Sequence, residues 1–111
     1  MNNKNKKAYL IVLGAGPQQL VVYKRAKKLS IPTLAVDYNP QAVSFEIASK
    51  FIIADVKNVN DCIKSLYKSG LKFLGVMTYG VEVSPVVAKI AEEFGLIAVT
   101  PSVALNTTNK F

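Results

Sequence analysis

The sequence contains no histidine, no tryptophan and only one cysteine among its 111 residues. The absence of histidine removes the commonest metal ligand and general base from any mechanism. The lone cysteine, Cys62, cannot form an internal disulfide, and no cysteine spacing typical of a metal site is present. We therefore expect no metal site, no catalytic residue and a reducing, cytoplasmic location.

Long apolar runs are also missing. No stretch reaches the roughly 20 apolar residues that a membrane-spanning helix requires. The apolar run from Ala8 to Leu13 follows a basic start, but it is too short for the core of a signal peptide. It predicts a strand instead, and we expect no membrane partner.

Acidic residues are scarce, since 7 Asp and Glu stand against 14 Lys and Arg, for a net charge of +7. Residues 1–7 form a predicted basic tail, and most other positive charges fall on predicted helix faces. Such an excess can attract nucleic acid. The basic residues are not interleaved with aromatics, however, and no nucleic-acid-binding motif is present. We expect no nucleic-acid partner; a solvated surface or a face against an acidic neighbouring domain are the alternatives.

Short apolar runs alternate with segments of helical periodicity along the whole chain. This alternation is typical of βαβ units, and it predicts one α/β domain built on a parallel sheet. About five strands are predicted: Tyr9–Leu13, Thr33–Val36, Phe51–Ala54, Phe73–Met77 and Leu96–Val99.

Four helical segments are predicted between these strands. The first runs from about Gln18 to Leu29, with an apolar stripe of Val22, Ala26 and Leu29, and a short one surrounds Phe45. A third is capped by Asn58 or Asn60 and ends before Gly70. The fourth is expected to start with the Ser84 hydroxyl as its cap, followed by Pro85, and to stop at Gly95.

Ligands of open α/β sheets bind beyond the carboxyl ends of the strands. The first loop there contains Gly14, Gly16 and Gln18, and glycines allow the backbone to come close to a ligand. As a dinucleotide fingerprint the loop is incomplete, because Gln19 replaces the third glycine. The loop is either one wall of a binding cleft or a plain strand-to-helix turn.

Two further loops carry polar candidates. Asp37 ends the second strand about 20 residues after the glycines, where an NAD-binding domain holds a ribose hydroxyl; it could equally form a turn. Thr78, Gly80 and Glu82 precede the fourth helix. Glu82 either faces the same cleft as the glycines or stabilises the helix start.

Nucleophilic and nucleotide chemistry have little support in the residues. Cys62 lies on an apolar helix stripe, which predicts a buried, inert thiol. No lysine follows a glycine loop as in a phosphate-binding loop, so nothing here is expected to activate ATP alone.

The order of five segments resembles a known family: VLGAGPQQ at 12–19, IPTLAVDYNPQA at 31–42, FIIADV at 51–56, GVMTYGVEVSPVVAKIAEEFGL at 75–96 and TPSVALNTTNKF at 100–111. Together they resemble the N-terminal pre-ATP-grasp domain, also called biotin carboxylase N-terminal-like, of ATP-grasp ligases. Such a domain precedes the ATP-binding lobes of proteins like the carbamoyl-phosphate synthase large subunit and of purine-biosynthetic ligases such as glycinamide ribonucleotide synthetase, and the resemblance covers about residues 9–111.

The resemblance implies a three-layer Rossmann-like domain at 8–105 and the start of a linker at 106–111. It implies that Gly14, Gly16, Gln18, Asp37, Thr78, Gly80 and Glu82 line a pocket for a small-molecule substrate. ATP and magnesium would be bound by ATP-grasp lobes of the same or a companion chain, and this segment would be inactive alone. Asn109-Lys110 stands where the family usually has Asp-Lys. Surfaces that such lobes normally cover could pair two copies as a homodimer.

A second hypothesis is a small Rossmann-type, NAD-like nucleotide-binding module with a regulatory role. It would use Gly14, Gly16 and Asp37, and the missing third glycine argues against it. A protein-interaction role for the basic helix faces is a third.

Overall fold

The computed structural model describes residues 7–80 and 83–99. Its strands are β1 (Ala8–Leu13), β2 (Thr33–Asp37), β3 (Lys50–Ile53), β4 (Lys72–Thr78) and β5 (Ile97–Ala98). All neighbours in the sheet pair in parallel, in the order β3-β2-β1-β4-β5. This is the strand order of a Rossmann-like sheet, and the predicted α/β class is confirmed.

Three α-helices connect the strands: α1 (Leu20–Lys28), α2 (Val59–Ser69) and α3 (Ser84–Phe94). Two short segments, Pro17–Gln19 and Val43–Glu46, are 3₁₀ turns. The helix predicted from Gln18 therefore begins as a 3₁₀ turn, and the short helix around Phe45 is one such turn. None of the helices among the described residues is long and apolar enough to cross a membrane.

The helix ends follow local chemistry. The Asn58 side chain accepts a hydrogen bond of 3.0 Å from the backbone N–H of Asp61, so Asn58 is the cap of α2. Gly70 and Gly95 terminate α2 and α3 in the left-handed conformation that glycine adopts without strain. The prediction for Ser84 was wrong, because Val83 is the cap residue of α3 and no side chain caps it. Val83 is buried and its carbonyl already accepts from two amides of the first turn, so the helix includes Ser84.

The side chains of β1 alternate between two cores, one on each face of the sheet. Tyr9, Ile11 and Leu13 pack with the apolar residues of α2 and α3. Leu10 and Val12 pack on the other face with α1 and the second 3₁₀ turn. The domain thus has three layers, and the central strand is buried on both faces, as parallel strands generally are.

One residue of the predicted α1 stripe is misplaced. Leu29 is 46% exposed, and Tyr23 is buried in its place. The reason is that Leu29 is the cap residue at the end of α1, where Ser30 turns the chain with a φ of +60°. Residues 1–6, Glu82 and the predicted linker at 106–111 lie outside the described residues.

Candidate functional site

The candidate site lies at the carboxyl ends of β1 and β4, where the strand order changes direction. The chain leaves β1 toward β2 on one side, and β4 pairs with β1 on the other. Loops that leave neighbouring strands in opposite directions open a crevice between them, and ligands of such sheets bind there. The structure therefore places the loop after Leu13 and the loop after Thr78 side by side.

Contacts between these two loops are direct. The Thr78 hydroxyl donates a 2.9 Å hydrogen bond to the Leu13 carbonyl. A Cβ atom added to Gly80 would lie 3.5 Å from the Cβ of Gln18. The structure thus brings together Gly14, Gly16, Gln18, Thr78 and Gly80, which the sequence predicted as one site.

The backbone amides of Gly14, Ala15 and Gly16 are engaged within the protein. The Gly14 amide donates to the Val36 carbonyl at 2.7 Å. The Ala15 amide donates to Asp37 Oδ2, also at 2.7 Å. The Gly16 amide donates to Gln19 Oε1 at the same distance. These three amides are therefore not available to a phosphate.

Asp37 is therefore part of the loop's own support. Its Oδ2 accepts from Ala15, and its Oδ1 accepts from the Asn39 amide at 2.9 Å. The Asp37 carboxylate thus occupies the Ala15 N–H, a group that could otherwise bind an anion. Its bond to Asn39 forms the turn that was one alternative from the sequence, and its contact with a ribose or another ligand stays a prediction.

Gln19 connects the two walls of the cleft. Its side chain is only 2% exposed. Oε1 accepts from Gly16 in the first loop, and Nε2 donates to the Tyr79 carbonyl in the second, at 2.5 Å. A Cβ at Gly80 would come within 3.2 Å of this Nε2, so the glycine leaves room for the bridge.

Tyr23 and Ser44 hold the glycine loop by hydrogen bonds to its carbonyl groups. The buried Tyr23 hydroxyl donates to the Gly14 carbonyl at 2.7 Å. Burial, and to a lesser degree the Asp37 carboxylate, raise the pKa of this phenol far above its ordinary range, so it remains a donor. Ser44 is fully buried, and its hydroxyl donates to the Gly16 carbonyl at 3.0 Å.

The structural roles of Gln19, Tyr23 and Ser44 were not predicted from the sequence. From the sequence, Gln19 was notable only because it replaces the third glycine of a dinucleotide-binding loop. A usable signal existed for two of them, because Gln19 and Tyr23 are four residues apart at a helix start and so lie on the same side. Ser44 offered none, since its contact with Gly16 spans 28 residues.

The predicted buried thiol is confirmed. Cys62 is inaccessible to solvent, and its Sγ lies 3.2 Å from the Asp55 carbonyl, to which it donates. Burial, together with the carboxylates of Asp61 and Asp55, raises the pKa of the thiol to about 11. A thiol with so little thiolate near neutral pH is a poor nucleophile.

No protein-family model matches the sequence, and no curated protein matches it. Solved structures do match. Phosphoribosylglycinamide synthetase from Anaerococcus prevotii is 26% identical with a TM-score of 0.74 over 91% of this chain. N5-carboxyaminoimidazole ribonucleotide synthetase from Thermotoga maritima is 14% identical with a TM-score of 0.64 over 82% of this chain.

The chain spans about a quarter of these two synthetases, 26% and 24% of their lengths. A UDP-glucose 4-epimerase also matches, with 14% identity and a TM-score of 0.63 over 83% of this chain and 34% of its own. At that identity the epimerase and the second synthetase show the fold alone. The first synthetase agrees more closely in sequence and in structure. Together with the order of the five sequence segments, this agreement is what an N-terminal pre-ATP-grasp domain would show, and the chain is similar to the corresponding segment of an ATP-grasp ligase.

Proposed function

We propose that this chain is the substrate-side lobe of an ATP-dependent ligase and does not turn over ATP by itself. The ligase would be carbamoyl-phosphate synthase-like or would join a carboxylate to an amine. The observation that carries the proposal is the bridged cleft, in which Gln19 holds the loops after β1 and β4 together at the switch point. That the chain spans about a quarter of two matching synthetases supports it.

In this proposal the glycine loop forms a wall of the substrate pocket. Its amides are already bonded to Val36, Asp37 and Gln19, so a substrate would be recognised chiefly by side chains at the rim. Gln18 is exposed at that rim. Glu82, from the opposite loop, would supply a carboxylate that favours an amino or hydroxyl group on the substrate.

ATP and magnesium would be held by ATP-grasp lobes of the same or a companion chain. Closing those lobes over the cleft would exclude water from the reacting groups, which strengthens every electrostatic interaction there. The pre-ATP-grasp domain would contribute position and specificity, and the reacting phosphate would belong to the other lobes.

An assay with and without ATP-grasp lobes tests the proposal. The 111-residue chain alone should hydrolyse no ATP. In the complete enzyme, Glu82→Ala should raise the KM of the carboxylate or amine substrate by about tenfold, the value of one charge-assisted hydrogen bond, and leave the KM of ATP nearly unchanged.

The matched control is Glu92→Ala, which removes the same charge from an exposed position on α3 and should change neither KM. An equal rise in both KM values for Glu82→Ala would contradict the assigned role. ATP hydrolysis by the chain alone would contradict the proposal as a whole.

The NAD-like alternative predicts that the chain binds a dinucleotide on its own. It is favoured by the strand order and opposed by the engaged loop amides. Calorimetry with NADH should then show micromolar binding that Asp37→Ala weakens. No detectable heat would eliminate this alternative.

A further inference from the structure

A polar pocket opens at the amino ends of β1, β2 and β3, on the edge of the sheet opposite to the cleft. Its volume is about 380 Å³, within the range of small-molecule sites. Lys7, Lys27, Ser30, Thr33, Glu46 and Ser49 provide its polar lining. We call it the amino-edge pocket. The length of β2, five residues at about 3.3 Å each, separates it from the cleft.

Two hydroxyl groups in the amino-edge pocket are held in place by the backbone. The Thr33 amide donates to Ser49 Oγ at 3.1 Å, and the Ser49 amide donates to Thr33 Oγ1 at 3.3 Å. Each hydroxyl therefore accepts one bond and keeps its own proton for another acceptor. Among the hydrogen bonds of the described residues, neither hydroxyl donates. Thr33 is only 3% exposed, so its hydroxyl can find an acceptor chiefly within the pocket.

The charge of the amino-edge pocket is positive. Lys7 and Lys27 face one carboxylate, Glu46, and within the described part of the chain neither lysine is ion-paired. Helix α1, which carries Lys27, has four basic residues and no acidic one. Clustered charge of one sign raises the local concentration of anions.

The pocket also has an apolar wall, formed by Tyr23, Ile31, Pro32, Ile47 and Ala48. An inorganic ion would leave this wall unused. A ligand with a small organic body would cover it and present a hydroxyl group to Glu46.

From these features we propose that the amino-edge pocket binds a small organic phosphate that carries hydroxyl groups. The phosphate would accept from the Thr33 and Ser49 hydroxyls and pair with Lys7 and Lys27, and a phosphate has enough oxygens for all four donors. This site goes beyond the proposed ligase role and does not depend on it, because its polar lining shares no residue with the cleft; Tyr23, whose ring lines the pocket, reaches the glycine loop only through its buried hydroxyl.

Glycerol 3-phosphate is the probe, titrated into the ¹⁵N-labelled 111-residue chain. Saturable shifts should appear at the amides of Ser30, Thr33 and Ser49, with a dissociation constant below about 10 mM. Glycerol should cause none, and glycerate, with fewer acceptor oxygens, should bind more weakly. Shifts confined to Gly14 and Gly16, no saturable shift, or equal binding of glycerate would overturn the proposal.

Lys27→Met and Lys28→Met form the matched pair of variants. Both remove one charge from the same exposed end of α1, but only Lys27 lines the pocket. Lys27→Met should weaken binding by about tenfold, since a charge-assisted contact is lost, whereas Lys28→Met should leave it within about twofold. An equal loss in both would mean that only the general charge of the helix attracts the probe, and would overturn the site.

Discussion

Gln19 occupies the place where a dinucleotide-binding loop has its third glycine. A glycine there lets the helix pack closely against the strand. In this chain the position is filled by a buried side chain that bonds to Gly16 on one side and Tyr79 on the other. The substitution thus exchanges close backbone packing for a side-chain bridge between two loops.

Removing the bridge should destabilise the domain. Gln19→Ala leaves the Gly16 amide and the Tyr79 carbonyl without this partner, and we expect a loss of about 1–3 kcal/mol in the free energy of unfolding. The neighbouring variant Gln18→Ala changes an exposed amide and should stay within about 0.5 kcal/mol. Urea denaturation of both variants measures the difference, and equal stability of the two would contradict the bridging role.

Cys62 should make folding sensitive to alkaline pH. Its pKa rises from 9.0 to about 11 on folding, so the native state holds the proton more tightly than the unfolded chain. The contribution is fully present below pH 9 and is lost as the pH rises through 11. The free energy of unfolding of the natural chain should therefore fall more steeply over this interval than that of Cys62→Ala. Parallel pH profiles from urea denaturation would contradict this assignment.

At the scale of elements, the loops after β1 and β4 owe their shape to glycine. Gly80 has a φ of +80°, in the left-handed region, and it lies against the Gln19 side chain. Gly70, the end of α2, has a similar φ of +68°, but a Cβ there would meet no atom within 4 Å. An alanine at Gly70 would therefore introduce backbone strain alone, whereas an alanine at Gly80 would introduce both backbone strain and a close contact.

Gly70→Ala should cost about 1–2 kcal/mol of unfolding free energy, the usual penalty for a left-handed L-residue. Gly80→Ala carries the same penalty, and its Cβ would also lie 3.2 Å from the Gln19 Nε2 that Tyr79 holds, so we expect a larger loss. Thermal or urea unfolding compares the variants. A smaller loss of unfolding free energy for Gly80→Ala than for Gly70→Ala would contradict the predicted role of the contact between Gly80 and Gln19.

The positions of the strands and helices were largely predictable from the sequence, whereas the tertiary contacts that fix their ends were less predictable. Strand positions and the Asn58 cap follow from apolar runs and local hydrogen bonding, which depend on neighbouring residues. The Ser84 cap was mispredicted because the burial of Val83, a tertiary effect, decides where α3 begins. The two glycine-containing loops could be predicted to lie at the same end of the sheet because strand ends are visible in sequence, and their contact with a substrate stays a prediction.

At the scale of the whole molecule, β1 is the central element. It pairs with β2 on one side and β4 on the other and is buried on both faces. The outer strands differ: β5 has only two residues, and Ile53 of β3 and Ile97 of β5 are half or more exposed. Stability should therefore decline from the centre of the sheet to its edges.

Amide hydrogen exchange should reveal this gradient. Amides of Leu10–Leu13 should exchange only through global unfolding, whereas the amides of Ile97 and Ala98 should exchange through local opening with a smaller free energy. The measurement is native-state exchange followed by NMR in increasing urea. Equal protection of β1 and β5 would mean that the sheet opens only as one unit.

By itself, the sequence determined the fold class, the absence of histidine chemistry, and the loops that carry glycine and acid, because each depends on composition or on short-range pattern. Only the tertiary structure decided that β4 lies beside β1, that Gln19 joins their loops and that Asp37 accepts a hydrogen bond from the Ala15 amide. These contacts join residues 22 to 65 positions apart. Local pattern carries no information about such pairs, since strand order and side-chain partners are set when the whole core packs.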